Sequence, residues 1–158
     1  MSVRADAETL RSIPIFADCD PVHLQVLAFS SERQQFRAGE SLIVQGQPGT
    51  SSFLILSGEA DLLIGRNRHE ESVGSAGPGA LLGEVAMIGG VPYSVTARAS
   101  APLAAARISR SLFMRVAEEF PDFGRNVFRA LGGKLDGSIS DLLTAQVLLD
   151  RAKSFTSL

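Results

Sequence analysis

The chain has 158 residues, of which 45% are hydrophobic and 20% charged, a balance typical of a soluble globular protein with one core. Its 15 basic and 17 acidic residues give a formal net charge of −2, so we expect no nucleic-acid partner. Cys19 is the only cysteine, which excludes an intrachain disulfide and a cysteine-based metal cluster. No run of about 18 apolar residues occurs and no signal peptide is visible, so the sequence predicts no membrane span and a cytoplasmic location.

The N-terminal residues 6–31 have a helical pattern that is interrupted at residues 13–16. Asp20 is predicted to cap a second helix, with Pro21 at its first position, because an aspartate accepts the free N–H groups there and proline needs none. Three apolar residues of this helix share one face: Leu24, Leu27 and Ala28.

The middle of the chain, residues 33–108, alternates short β-prone runs with glycine and proline turns, which indicates a β-barrel or sandwich. The predicted strands are residues 41–44, 53–56, 60–64, 73–76, 94–99 and 103–108. Residues 66–71 are charged and predict a solvated hairpin tip.

The C-terminal part returns to a helical pattern. Ser109 is predicted to cap a helix that ends near Glu118, and a last helix is predicted from Pro121 to Lys153. Apolar residues on one face of that helix predict self-association into a homodimer: Phe128, Leu131, Leu135, Ile139, Leu142 and Leu149. We therefore divide the chain into a β-roll with N-terminal helices, residues 1–120, and an amphipathic helix, residues 121–158.

Residues 77–99 predict a strand, a Gly-Glu turn, one short helical turn, a loop and a second strand. Such a loop presents backbone N–H groups at a helix start beside one fixed carboxylate, Glu84. That arrangement suits a small phosphorylated sugar.

Three stretches with glycines in register resemble the cyclic nucleotide-binding domain family, as found in catabolite-activator-like sensor domains. They are residues 12–18, residues 36–60, and residues 77–99, which resemble the family's phosphate-binding cassette. The resemblance covers about residues 12–120. It implies a mainly β fold: a jelly-roll β-barrel, or double-stranded β-helix, with flanking N-terminal helices and a long C-terminal helix.

The resemblance also implies a ligand, cyclic AMP or cyclic GMP, and the residues that bind it. Glu84 would accept a hydrogen bond from the sugar 2′-hydroxyl. The N–H groups of Gly83, Val85 and Ala86 would face the phosphate. Ser94 would offer its hydroxyl to the phosphate, and strand alternation places Thr96 on the same side.

Tyr93 is the departure from the family pattern, in which an arginine follows the cassette proline. A guanidinium meets a cyclic phosphate with charged, bidentate hydrogen bonds, whereas a tyrosine donates one neutral bond. Two interpretations stay open: Tyr93 fills the space of the ligand, or it stacks on a ligand less charged than a cyclic nucleotide.

Two functions compete on this sequence. The first is a regulatory sensor with altered or weak nucleotide affinity, and the second is a binding-dead interaction or scaffold module that acts through protein partners. No nucleophilic or paired-acid arrangement is visible, so we expect no enzyme, and neither His23 nor His69 has a partner at metal spacing. The sequence implies no cofactor, and because few residues follow the long helix before Leu158 we expect no helix-turn-helix.

Overall fold

The computed structural model describes residues 3–65 and 69–136. Five helices lie in these ranges: α1 (Val3–Arg11), α2 (Pro21–Ser30), α3 (Glu84–Gly89), α4 (Arg110–Glu119) and α5 (Pro121–Asp136), with a 3-10 turn at Pro14–Phe16. Eight strands accompany them: β1 (Glu32–Phe36), β2 (Ser41–Ile43), β3 (Ser51–Ser57), β4 (Ala60–Ile64), β5 (Glu71–Ala76), β6 (Leu81–Leu82), β7 (Thr96–Ala99) and β8 (Leu103–Ser109).

The strands form two four-stranded antiparallel sheets. The first sheet has the order β1-β8-β3-β6 and the second has the order β2-β7-β4-β5. Apart from β4 and β5, which are neighbours in the second sheet, successive strands pass from one sheet to the other, as in a jelly roll. This arrangement, with helices before and after it, confirms the fold class predicted from the sequence.

Two helix starts lie where local sequence signals place them. The Asp20 side chain accepts a hydrogen bond from the Val22 N–H at 2.9 Å, and Pro21 is the first residue of α2. The Ser109 hydroxyl accepts from the Leu112 N–H at 3.1 Å, and α4 follows. Both caps confirm the predicted helix boundaries, because each satisfies N–H groups that the helix itself leaves unpaired.

Strand β1 has no counterpart among the predicted strands. Its sequence, from Glu32 to Phe36, is polar at four of five positions. It is the edge strand of the first sheet and pairs only with β8. The side chains of this edge strand are exposed or half-buried, so they can be polar on both faces. Hydrophobic alternation in the sequence therefore does not reveal the strand.

The buried residues form two clusters, one on each face of the first sheet. The outer cluster joins that sheet to the helices, and its largest members are Phe16, Phe113 and Phe123. The inner cluster fills the roll between the two sheets and includes Phe53 and Tyr93. Any ligand of the roll would therefore meet residues of the inner cluster.

The last helix is described as far as Asp136, so the predicted stripe residues Ile139, Leu142 and Leu149 lie outside the described residues. Phe123, at its start, is fully buried and stacks on Phe16 with ring centroids 6.2 Å apart. The first half of α5 thus completes the outer cluster. Within the described residues, none of the helices has both the length and the apolar character that a membrane crossing requires.

Candidate functional site

The cassette, residues 77–99, begins its short helix α3 at Gly83. Gly83 has φ +79°, a left-handed conformation that side chains disfavour. A Cβ added there would lie 2.8 Å from the Tyr93 ring and 3.3 Å from the Ser51 carbonyl oxygen. Glycine is therefore required by both the turn and the close approach of Tyr93.

Tyr93 is buried, and its hydroxyl is paired twice with the backbone of Ser51. The hydroxyl donates to the Ser51 carbonyl oxygen at 2.6 Å and accepts from the Ser51 N–H at 3.1 Å. Strand β6 ends at Leu82, opposite Phe53, so it does not extend along β3 as far as Ser51. The Tyr93 hydroxyl therefore provides the partner for the N–H and carbonyl of Ser51, which β6 does not reach.

The loop between β2 and β3 holds the cassette from the other side. A Cβ on Gly49 would lie 2.5 Å from the Ala86 backbone, so the loop and α3 are in close contact. The Tyr93 N–H donates to the Gln47 carbonyl and the Tyr93 carbonyl accepts from the Gly46 N–H, both at 2.9 Å. The backbone at position 93 is thus held in place together with its side chain.

Arg110, the first residue of α4, binds the other end of α3. Its guanidinium donates to the carbonyl oxygens of Met87 and, at 3.0 Å, Ile88. Its own N–H donates to the Thr50 carbonyl at 2.8 Å. A cation at a helix C-terminus satisfies carbonyls that the helix leaves free, so α4 and the cassette are joined directly.

The predicted ligand-binding residues differ in their accessibility. Gly83, Glu84, Val85 and Ser94 are half-buried, whereas Ala86 is buried in the inner cluster. Thr96 is also buried, and its hydroxyl accepts the Gln45 N–H at 2.9 Å.

Alternation on β7 sets the face of Thr96. Ala97 and Ala99 belong to the inner cluster, so Thr96 and Arg98 lie on the opposite face of the second sheet. The structure therefore brings Gly83, Glu84, Val85, Ala86 and Tyr93 together around α3, with Ser94 next in the chain, and directs Thr96 elsewhere.

Two arginines near the roll are paired with carboxylates. Arg98 contacts Glu70 at 2.9 Å, which also shows that this residue of the predicted solvated tip is partly buried in an ion pair. Arg107 contacts Glu32 at 3.3 Å, and the Glu32 side chain is 68% exposed. The carboxylate of the first pair is therefore less exposed to solvent than that of the second.

Sequence reasoning missed Ser51 and Arg110 as parts of this site. Both lie outside residues 77–99, and each reaches the cassette only through the sheet topology. A serine at the start of a strand and an arginine at the start of a helix carry no signal of such contacts.

The described residues contain no group of three or more His, Cys, Asp or Glu side chains suited to a metal ion. His23 stacks on Phe120 with ring centroids 4.3 Å apart. Burial, with a smaller contribution from the Asp18 charge, raises the pKa of the Cys19 thiol to about 11. Cys19 therefore stays protonated at neutral pH and is a packing residue.

Comparison with known proteins assigns this roll and cassette to a family. The sequence model described as the cyclic nucleotide-binding domain matches residues 33–120, which is more than half of the chain. The chain belongs to the cyclic nucleotide-binding domain family. This domain is a regulatory module in the related proteins, among them a cAMP-dependent protein kinase regulatory subunit from Colletotrichum orbiculare. That relative is 31% identical over 107 residues, and the match spans 68% of this chain but only 27% of the relative.

Solved structures of cyclic nucleotide-binding domains have the same fold. A cyclic nucleotide-binding-like protein from Brucella abortus is 33% identical, with a TM-score of 0.66, covering 72% of this chain and 98% of that one. A cyclic nucleotide-binding domain from Methylobacillus flagellatus is 25% identical, with a TM-score of 0.70, covering 99% of this chain and 84% of that one. The N-terminal domain of a Streptomyces coelicolor transcriptional regulator, at 22% identity, covers 81% of this chain and 92% of that one with a TM-score of 0.73.

Proposed function

We propose that this domain is a regulatory sensor that binds cyclic AMP or cyclic GMP with altered or weak affinity. The observation that carries the proposal is the position of Tyr93, whose hydroxyl is paired with Ser51 inside the roll where the family places an arginine. Glu84, Val85 and Ser94 remain partly accessible beside it. The sugar-binding half of the cassette is thus kept, while the charged phosphate partner at position 93 is replaced.

The expected loss of affinity follows from charge. A desolvated phosphate without its cationic partner costs about 3–5 kcal/mol, which is on the order of a hundredfold to a few thousandfold in affinity. A neutral hydroxyl recovers about 1 kcal/mol, and the Tyr93 hydroxyl has already used its one proton on Ser51. We therefore expect dissociation constants well above those of a cassette that has its arginine.

The test is a thermal-shift titration with cyclic AMP and cyclic GMP to millimolar concentration, on the wild type and on Tyr93→Arg. Ligand stabilisation grows with the logarithm of ligand concentration over Kd, so weak binding shows at high concentration. We expect a small shift for the wild type and a larger one for Tyr93→Arg. No shift in either protein would contradict nucleotide sensing.

A second candidate function is a binding-dead interaction module, and the burial of Tyr93 inside the inner cluster favours it. A surface groove of about 530 Å³ on α4 and α5, with Phe128 47% exposed at its wall, is a candidate docking surface. A homodimer through the predicted amphipathic segment, residues 121–158, would involve Phe128, which belongs both to this groove and to the predicted apolar stripe. Light scattering of the purified chain tests this, and a strict monomer would count against it.

The remaining expectations belong to the same proposal. We place the module in the cytoplasm, as a regulatory part without catalytic activity of its own and without a nucleic-acid surface. Its formal net charge of −2 supports the last of these, because binding to nucleic acid draws on excess positive charge.

A further inference from the structure

The Ser51 hydroxyl is a buried polar group on strand β3. Ser51 is 2% exposed, and its Oγ has no hydrogen-bond partner among the residues that the structure describes. Its backbone N–H and carbonyl, by contrast, are both satisfied by Tyr93. A buried hydroxyl left unpaired destabilises a fold, so its presence needs a reason other than packing.

The geometry of β3 directs this hydroxyl toward the interior of the roll. Phe53 and Ile55, two and four residues further along β3, belong to the inner cluster. Leu54 belongs to the outer cluster, and the Ser52 hydroxyl contacts the sulfur of Met87, also in the outer cluster. Because side chains alternate along a strand, Ser51 lies on the inner face, beside Tyr93.

Arg107 lies on the same inner face of the neighbouring strand β8. It is directly opposite Phe53, and directly opposed residues of an antiparallel pair share a face. Ser51 is its diagonal neighbour, at about 7–8 Å between Cα atoms, a distance that a long side chain spans. The guanidinium can therefore reach a group that is held at the Ser51 hydroxyl.

Arg107 is also free to change partner at little cost. Its contact with Glu32 is 3.3 Å long and the Glu32 side chain is mostly in solvent. Exposed pairs of this kind contribute little to stability. Arg98 differs, because its partner Glu70 is better buried and alternation places Arg98 on the outer face of the second sheet.

We propose that Ser51 and Arg107, on the inner face of β3 and β8, receive the phosphate of the cyclic nucleotide in place of a cassette arginine. Ser51 donates a hydrogen bond to a phosphoryl oxygen, and Arg107 leaves Glu32 to supply the positive charge. This inference rests on the proposed function, which leaves the phosphate without a charged partner, and it names the residues that would bind the phosphate. It predicts that, with tyrosine at position 93, phosphate recognition by the wild type depends on the first sheet.

The experiment is a calorimetric titration of four variants with cyclic AMP and cyclic GMP, with adenosine as a probe that lacks phosphate. Arg107→Gln is expected to weaken nucleotide binding about ten- to hundredfold, and Ser51→Ala about two- to tenfold. Glu32→Gln releases Arg107 and is expected to tighten binding about two- to fivefold. Arg98→Gln, the matched control, is expected to leave the affinity unchanged, and adenosine is expected to bind all proteins alike.

A thermal melt without ligand gives an independent readout. Ser51→Ala is expected to keep or raise the melting temperature, because it removes a buried hydroxyl that makes no hydrogen bond to the described residues. A clear fall would mean that the hydroxyl has a structural partner and would overturn its role as a ligand group.

The outcomes separate this inference from the proposed function. If the wild type binds neither nucleotide, both are overturned. Suppose instead that the wild type binds one of the nucleotides and that Arg107→Gln binds this nucleotide as tightly as Arg98→Gln does. The proposed function then stands and the phosphate assignment is wrong.

Discussion

The two clusters on either side of the first sheet are built from different side chains. Of the 12 buried members of the inner cluster, 5 are alanine, against 3 of 19 in the outer cluster. All the largest fully buried side chains except Ile55 lie in the outer cluster. Because burial of large apolar groups is the main favourable term in folding, the outer cluster carries more of the stability.

The difference shows how this fold separates stability from recognition. The helices and the outer face of the first sheet hold the domain together through aromatic contacts such as Phe113 with Phe123, at 5.6 Å. The inner cluster has the larger share of alanine, and the inner face contains buried polar groups, Ser51 and Tyr93. Changes inside the roll can therefore alter ligand binding while the outer cluster maintains the fold.

The largest expected effect is in the outer cluster. Phe113 is fully buried and touches both Phe123 and Phe128. Phe113→Ala is expected to lower the free energy of unfolding by about 3–5 kcal/mol, from lost burial and the cavity left behind, in urea denaturation. Phe128→Ala is the control, since Phe128 is 47% exposed, and is expected to cost about 1 kcal/mol. Equal losses would contradict the stability assigned here to the buried side chains of the outer cluster.

The next effect concerns the hydroxyl of Tyr93. Tyr93→Phe keeps the ring but leaves the Ser51 N–H and carbonyl without their partner, so we expect a loss of about 2–4 kcal/mol in urea denaturation. Thr96→Val is the matched control, because Thr96 satisfies a single backbone group, the Gln45 N–H. It is expected to cost about half as much. If Tyr93→Phe were neutral, the two hydrogen bonds would not be structural.

The starts of α2 and α4 and the order of elements were predictable because their signals are local. Asp20 and Ser109 cap helices through N–H groups two and three residues away. Strand β4 matches its predicted bounds because apolar residues and glycine turns mark it. Strand β1 was missed because its edge position allows the polar sequence between Glu32 and Phe36.

The site was predictable only where it is contiguous in the chain. Gly83 and Glu84 follow from the glycine spacing of residues 77–99. The contact of Tyr93 with Ser51 joins residues 42 positions apart, and that of Arg110 with Met87 joins residues 23 apart. Such contacts depend on which strands become neighbours, and a single sequence does not specify that.

A smaller effect tests the connection between the two clusters. Arg110→Gln removes the cation that holds the Met87 and Ile88 carbonyls, and we expect a loss of about 1–2 kcal/mol. Hydrogen exchange of the α3 amides is expected to accelerate, because the end of that helix is released from α4. Arg125→Gln, which removes only an exposed pair with Asp122, is the control and is expected to change neither quantity. Unchanged α3 exchange in Arg110→Gln would contradict the connection.

The smallest effect reports how tightly the outer cluster is closed. Cys19 is 3% exposed, and burial, followed by the Asp18 charge, raises the pKa of its thiol from 9.0 to about 11. Because the pKa of the thiol is higher in the folded state, the thiol of the unfolded chain ionises first as the pH rises. The thiol therefore leaves the free energy of unfolding unchanged below pH 9 and lowers it between pH 9 and 11. Wild type and Cys19→Ala are therefore expected to have parallel stabilities up to pH 9 and to diverge above it. Alkylation of the thiol at pH 8 is expected to be slow in the native protein and fast in urea. Rapid native alkylation would mean that the outer cluster opens easily around Cys19, and that the stability assigned to it lies elsewhere.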